Sequence, residues 1–200
     1  QMMENAGRNL ALHAIEVLGP HWRARDLLVL AGGGGNGGGG ICAARHLADR
    51  GVAVTLVLAA PLTASGVPAF QHHVYTGTPG RQIDAVAVRD ERPDLIIDAL
   101  IGYGLMTAPV GIAADLISWA NRTGAPILSL DVPSGVNATT GDTPGVVMRP
   151  RWTMTLALPK TGLRPEHAGQ LVLADIGIPA ETFRRAGLAV VSPFDDRFRI

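Results

Sequence analysis

The sequence contains one cysteine, Cys42, so it can close no internal disulfide and build no zinc site from thiolates, a pattern that fits a reducing compartment. Neither sign of charge is in excess. The 17 basic and 17 acidic residues cancel, which removes the positive field from which nucleic-acid binding is argued. A membrane-length apolar run is also missing. The most apolar stretch, GVAVTLVLAAPL from Gly51 to Leu62, falls short of the roughly 18 residues that cross a bilayer, and nothing at the start resembles a signal peptide. These absences lead us to expect a soluble, cytoplasmic protein with no nucleic-acid and no membrane partner. With 200 residues, 47% of them hydrophobic, the chain has the size of a single domain with one sizeable core.

What is present is a change of hydrophobic period along the chain. Met3, Ala6, Leu10, Ala14 and Val17 recur at helical spacing before a Gly19-Pro20 stop, predicting an amphipathic first helix. DLLVLA (26–31) and AVTLVLA (53–59) read as strands, with ICAARHLADRG between them as a helix ended by Gly51. DLIIDAL (94–100) and PILSLDVP (126–133) are buried-strand candidates separated by the helical stretch GIAADLISWANRTG. TMTLALPK (153–160) and QLVLADIG (170–177) look like late strands at one sheet edge, and the tail after Gly177 has no clear place. Strands alternating with helices predict an α/β fold, a mostly parallel sheet with helices on both faces. In such sheets ligands collect beyond the carboxyl ends of the strands. The segments leaving those ends, GGGGNGGGG, DALIGYGLMTAP and SLDVPSGVNATTGD, are all small and polar.

Eight glycines flank Asn36 between the first strand and the helix that follows it. A glycine-rich turn there lets backbone N–H groups close on a phosphate at the positive end of the helix dipole, so an anion or nucleotide site is expected. Gly32, Gly34 and Gly37 satisfy G-x-G-x-x-G, but the glycines fit that spacing in several registers. The second strand ends in Leu58-Ala59-Ala60, without the acid that binds ribose hydroxyls in an ordinary NAD dehydrogenase. No Lys-Ser or Lys-Thr follows the glycines, which excludes a P-loop, and no G-x-S-x-G surrounds Ser134.

Asp98 and Asp131 each close a predicted strand. With Asn36 and Ser134 they place oxygen-bearing side chains at neighbouring strand ends, a set that suits a hard cation. His13 and His46 are expected at helix surfaces, and His72 and His73 have no partner at ligand spacing. Cys42 reads as core, while Lys160, in LALPKTG, is expected to reach toward the ligand cleft.

MENAGRN at the start, the Gly/Asn loop running into ICAARHLA, then DALIGYGL, SLDVPSGVNATTG, LALPKTGL and DIGIP follow one another in an order that resembles the NAD(P)H-hydrate epimerases, the family of the YjeF N-terminal domain. The resemblance covers nearly the whole chain. It implies a three-layer α/β/α sandwich with a Rossmann-like sheet, usually a homodimer, whose substrates are the R and S forms of hydrated NADH and NADPH. It implies that a dehydratase, separate or fused in some relatives, consumes one epimer; the chain is expected to be one domain over residues 1–200 without it. It also implies a potassium ion held by Asn36, Asp98 and Ser134. Substrate contacts fall to Gly35, Asn36, Gly37, Gly38 and Gly39, to Gly102, Tyr103, Gly104, Leu105, Met106, Thr107 and Ala108, and to Asp131. In this loop Gly35 stands where the family has an Asn, and Gly39 where it has an Asp.

The chemistry follows from the substrate. Carbon 6 carries both the hydroxyl and the ring nitrogen, so loss of the hydroxyl leaves a planar iminium that water attacks from either face. That step needs an acid for the departing oxygen and a negative charge near the cation; Asp131 is the candidate for both and Lys160 for assisting proton transfer. The alternatives are a nucleotide-binding or interaction module without turnover, and an atypical dinucleotide oxidoreductase.

Overall fold

The structure, a computed structural model, describes residues 1–200. Seven strands form one parallel sheet in the order β3-β2-β1-β4-β5-β6-β7. They are β1 (Asp26–Ala31), β2 (Ala53–Leu58), β3 (Arg81–Ile83), β4 (Leu95–Ala99), β5 (Ile127–Leu130), β6 (Trp152–Leu156) and β7 (Gln170–Ala174). The helices are α1 (Met2–Leu18), α2 (Gly35–Ala48), α3 (Val67–Tyr75), α4 (Gly111–Thr123), α5 (Pro165–Ala168) and α6 (Ala180–Arg185). From β1 the chain winds outward through β2 and β3, then returns to lay β4 on the other side of β1. The two halves therefore diverge at the carboxyl ends of β1 and β4, the place where an open α/β sheet leaves a crevice.

Strand alternation divides the core into two layers. Leu27, Val29 and Ala31 of β1 face one cluster with Leu56, Ile97, Leu10 of α1 and Ile41 of α2, whereas Leu28 and Leu30 face another with Ile96, Val57 and Leu116 of α4. The expected fold class, with helices on both faces, is the observed one. Two short edges finish the sheet. β3 has only three residues, and at the far side Leu173 and Ile200 exchange both backbone hydrogen bonds (2.7 and 3.0 Å), so the tail after Gly177 ends antiparallel against β7.

Helix α2 begins at Gly35, six residues earlier than the pattern ICAARHLADRG suggests, because five of its first six residues are glycine. Glycine is a poor helix former, so packing has overridden propensity here. A methyl group at Gly37 would meet the Gly32 carbonyl oxygen, and one at Gly40 would meet the Ala99 side chain. At Gly38 it would lie 2.7 Å from Met3, and at Gly39 2.8 Å from Leu130. Gly7 of α1 does the same service against Cys42. Bare backbone thus lets α1, α2 and the sheet approach more closely than side chains would permit.

Gly40→Val should therefore cost about 1–3 kcal/mol of stability by overpacking, while Gly35→Ala, whose added carbon meets nothing within 4 Å, should change it by less than about 0.5 kcal/mol. Equilibrium urea denaturation of the two variants checks this; equal losses would refute the packing account of the glycine run.

Candidate functional site

A cleft of about 640 Å³ opens at the divergence of β1 and β4. One side is the amino end of α2, Gly34, Gly35 and Asn36; the other is Gly102, Tyr103 and Gly104, which leave β4, together with Asp131, which leaves β5. Met2, Met3 and Ala6 of α1, with Leu130, Leu156 and Ile176, make an apolar wall. Gly34 and Gly35 have open space where a side chain would stand. The first-turn N–H groups of α2 have no side-chain cap and no intrahelical acceptor, so this end of the cleft presents donors to an anion.

Asp131 sits in the left-handed region (φ 68°) and is 3% exposed. Its carboxylate pairs with the Lys160 ammonium, and it accepts hydrogen bonds from the Tyr103 N–H (3.3 Å) and the Leu156 N–H (3.4 Å). Lys160 also donates to the Leu156 carbonyl (2.7 Å). The Lys160 side chain keeps 20% of its surface exposed against 5% for Asp131, yet Asp131, and not Lys160, is among the residues that line the cleft. One compositional signal points to this residue more sharply than its motif does: Lys160 is the only lysine, and every other basic residue among the 17 is arginine. At this one position stands an amine, which can give up a proton where a guanidinium cannot.

Below the floor of the cleft lies a second, wholly buried group. Asp98 Oδ1 accepts from Ser134 Oγ (2.5 Å) and the Leu100 N–H (3.3 Å), and Oδ2 from Ser129 Oγ (2.7 Å) and the Ser134 N–H (2.9 Å). Burial raises its pKa above the ordinary carboxylate value, against these neutral donors. Ser134 Oγ also touches the Ile101 main chain, receiving its N–H at 2.9 Å, and the next residue, Gly102, lies against the Asn36 side chain. Asn36 Nδ2 is buried and has no hydrogen-bond partner.

The residues expected to bind substrate divide by position. Gly35, Asn36, Gly39, Gly102, Tyr103, Gly104 and Asp131 line the cleft. Gly37 and Gly38 are packed inside α2 contacts, Leu105 is buried, Met106 is 89% exposed, and Leu105 to Ala108 are not among the residues that line the cleft. Asp98 and Ser134 are 0% exposed, so they meet the cleft through the backbone of Leu100 and Ile101, whose N–H groups they accept.

His13 is buried at 7% exposure, correcting its expected surface position; burial lowers its pKa, against a contact to Glu16 (3.3 Å). His46 is half-buried and belongs to a cluster that no motif in the sequence signals. Glu4 of α1 accepts from Arg45 (2.6 and 2.8 Å) and Gln71 (3.2 Å) and contacts His46 (2.7 Å), linking α1, α2 and α3. Ligand atoms of Glu4, Cys42 and His46 lie within 4.8 Å of one another, a spacing available to a metal. Arg45 reaches all three, so a cation of the chain itself already fills the group. Burial pushes the Cys42 thiol up to about 12, which agrees with a core role.

No helix is long and apolar enough to cross a membrane. Residues 1–162 match the family described as YjeF-related protein N-terminus, and the chain belongs to that family. It is 50% identical over 188 residues to a protein of Dehalogenimonas lykanthroporepellens named NAD(P)H-hydrate epimerase, covering 94% of this chain and 77% of that one. A Weissella koreensis protein of the same name is 40% identical, over 90% and 83% of the two chains. The Hyperthermus butylicus protein named bifunctional NAD(P)H-hydrate repair enzyme Nnr is 39% identical over the whole of this chain, which spans 37% of it. Among solved structures, yeast ynu0 superposes with a TM-score of 0.85 at 19% identity over 100% of this chain and 88% of that one, a likeness of fold.

The Glu4 cluster gives a pH test. Burial alone would raise the Glu4 carboxyl, but hydrogen bonds from Arg45, His46 and Gln71 outweigh it and hold the group at about 2, below its ordinary 4.5. A depressed acid contributes stability that is complete above the unfolded value and is lost as pH falls through the folded one. Wild-type melting temperature should therefore fall between pH 4.5 and 2, and Glu4→Gln should lower it at pH 7 while flattening that acid limb. Circular-dichroism melts read both effects, and identical acid limbs would remove Glu4 from the account.

Proposed function

We propose that this chain is an NAD(P)H-hydrate epimerase, an isomerase of nicotinamide-nucleotide repair that interconverts the R and S hydrates of NADH and NADPH. The observation that carries the reading is Asp131, ion-paired to Lys160 and lining the same cleft as the uncapped amino end of α2. The donors of α2 suit the pyrophosphate, and the apolar wall of Met3, Leu130, Leu156 and Ile176 suits the reduced ring.

The pair divides the work. A lysine ammonium has a proton to give, so Lys160 protonates the C6 hydroxyl as the C–O bond breaks and water leaves. Asp131, held as the anionic partner, stabilises the iminium that the ring nitrogen lone pair creates. Water then adds to either face and returns its proton to the Lys160 amine, restoring the starting state of the protein. The Tyr103 and Leu156 N–H groups keep the carboxylate aimed throughout. The motifs alone assign both tasks to Asp131; the ion pair supports Lys160 as the proton donor.

Asn36, Asp98 and Ser134 fit a potassium ion. Asp98 is buried among neutral donors only, so a monovalent cation would supply its missing counter-charge. The orphaned amide of Asn36 becomes an oxygen ligand when the group is turned by half a rotation. A bound potassium ion would contribute electrostatic anchoring of the 101–102 backbone beneath the substrate. The product partner is a dehydratase acting on one epimer, consistent with relatives in which this domain is about a third of a bifunctional chain. A homodimer is the assembly that accompanies this reading.

Following epimer exchange of enriched NADH hydrate by NMR, with the spontaneous rate subtracted, tests the function. Asp131→Asn and Lys160→Arg should each lower kcat by about 10²–10⁴-fold while leaving nucleotide binding intact. Wild-type exchange at the spontaneous rate would sink the reading and leave a binding module without turnover. For the cation, potassium chloride should raise the melting temperature more than equal sodium chloride, and Asp98→Asn should abolish the difference.

A further inference from the structure

Two residues other than glycine have positive φ, Asp131 at 68° and Ala157 at 65°. Each is the first residue beyond its strand, and the strands, β5 and β6, are neighbours. In both places the following N–H folds back onto the preceding carbonyl: Val132 to Leu130 at 2.9 Å, and Leu158 to Leu156 at 2.7 Å. A three-residue turn closed in this way around a positive φ is the rare, strained form of the γ-turn. Such conformations persist where the surroundings over-determine them, and they gather at functional sites.

At Asp131 the role is plain, since the turn brings the carboxylate onto Lys160. Ala157 has only a methyl group, so its turn must act through the chain it redirects. Leu156, which precedes it, gives its N–H to Asp131 and its carbonyl to the Lys160 ammonium. Beyond the turn, Pro159 has a fixed φ and restricts Leu158 to extended backbone. The far side is pinned as well, by Gly162 N–H on the Ala138 carbonyl and Thr161 Oγ1 on the Thr139 carbonyl, both 2.8 Å. Lysine has a long, rotatable stem, so its head can be placed reproducibly only if the main chain at both ends of this strap is fixed.

Resting on the epimerase reading, we propose that Ala157 is a positioning residue: its γ-turn curls the 156–160 strap so that the only lysine of the chain is delivered to Asp131. Glycine in its place would open to the strap the wide conformational freedom that a Cβ denies.

Ala157→Gly is the test, since glycine accepts this φ without strain and the variant should melt no lower than wild type. In protein carrying isotope-labelled lysine a single side-chain ammonium resonance is expected, with slowly exchanging protons in the wild type. In Ala157→Gly those protons should exchange faster, and kcat for epimer exchange should fall about tenfold with KM within about twofold. A variant with unchanged kcat and an unchanged lysine signal overturns the proposal. Should wild-type protein show no exchange above the spontaneous rate, the function falls separately and the lysine signal alone decides: unaltered proton exchange in Ala157→Gly overturns the positioning role, and faster exchange upholds it.

Discussion

The structure depends on how near helix α2 comes to the ends of β1 and β4. At Gly37 and Gly40 the gap is too small for one methyl group, and Gly32 presses in the same way on the Leu100 carbonyl. Van der Waals contact at this range is individually small and collectively large, and it tolerates no added atom without displacement. With the helix held there, its open amino end at Gly34 and Gly35 falls beside the loop leaving β4, and the cleft follows from that juxtaposition. The same closeness lets α1 ride on α2 and put Met2 and Met3 against the site.

The glycine run thus serves two masters within a few residues. Gly34 and Gly35 leave room for a ligand, while Gly37 to Gly40 leave room for the protein itself. Beneath them, Asp98, Ser129 and Ser134 form a buried polar network whose members satisfy one another, and such a network fixes one arrangement of the loops it ties together. The 101–102 backbone rests between this network and Asn36, which ties the floor of the cleft to the buried core.

Much of this was legible in the residues because hydrophobic period reports burial directly. Strands β1, β2, β4 and β5 are short apolar runs buried on both faces, and α1 and α4 carry an apolar stripe. The start of α2 was hidden, since propensity argues against a helix opening on glycines and only the packing partners, distant in the chain, reverse that. Helix α3 and strand β3 were not named because they are short and weakly patterned, with Pro68 opening the one and Arg81 and Gln82 exposed in the other. Asp131 and Lys160 announced themselves through their motifs. The Glu4 cluster did not, because Glu4 lies 38 to 67 residues from its partners and each alone reads as a surface charge or a core thiol. The burial of His13 is hidden for a related reason: a helical stripe predicts which face is buried, and the imidazole stands on its margin beside Glu16.

The two margins of the sheet carry a further meaning. A parallel sheet ends in rows of unpaired amides and carbonyls that can recruit a foreign strand. Here one margin is three residues long and the other is occupied between Leu173 and Asp175 by the terminal residues of the same chain. Neither offers a long template for intermolecular zippering, so stacking into ribbons or fibrils through the backbone is disfavoured by construction. Recognition by other macromolecules is left to side chains on helical flanks and loop tips.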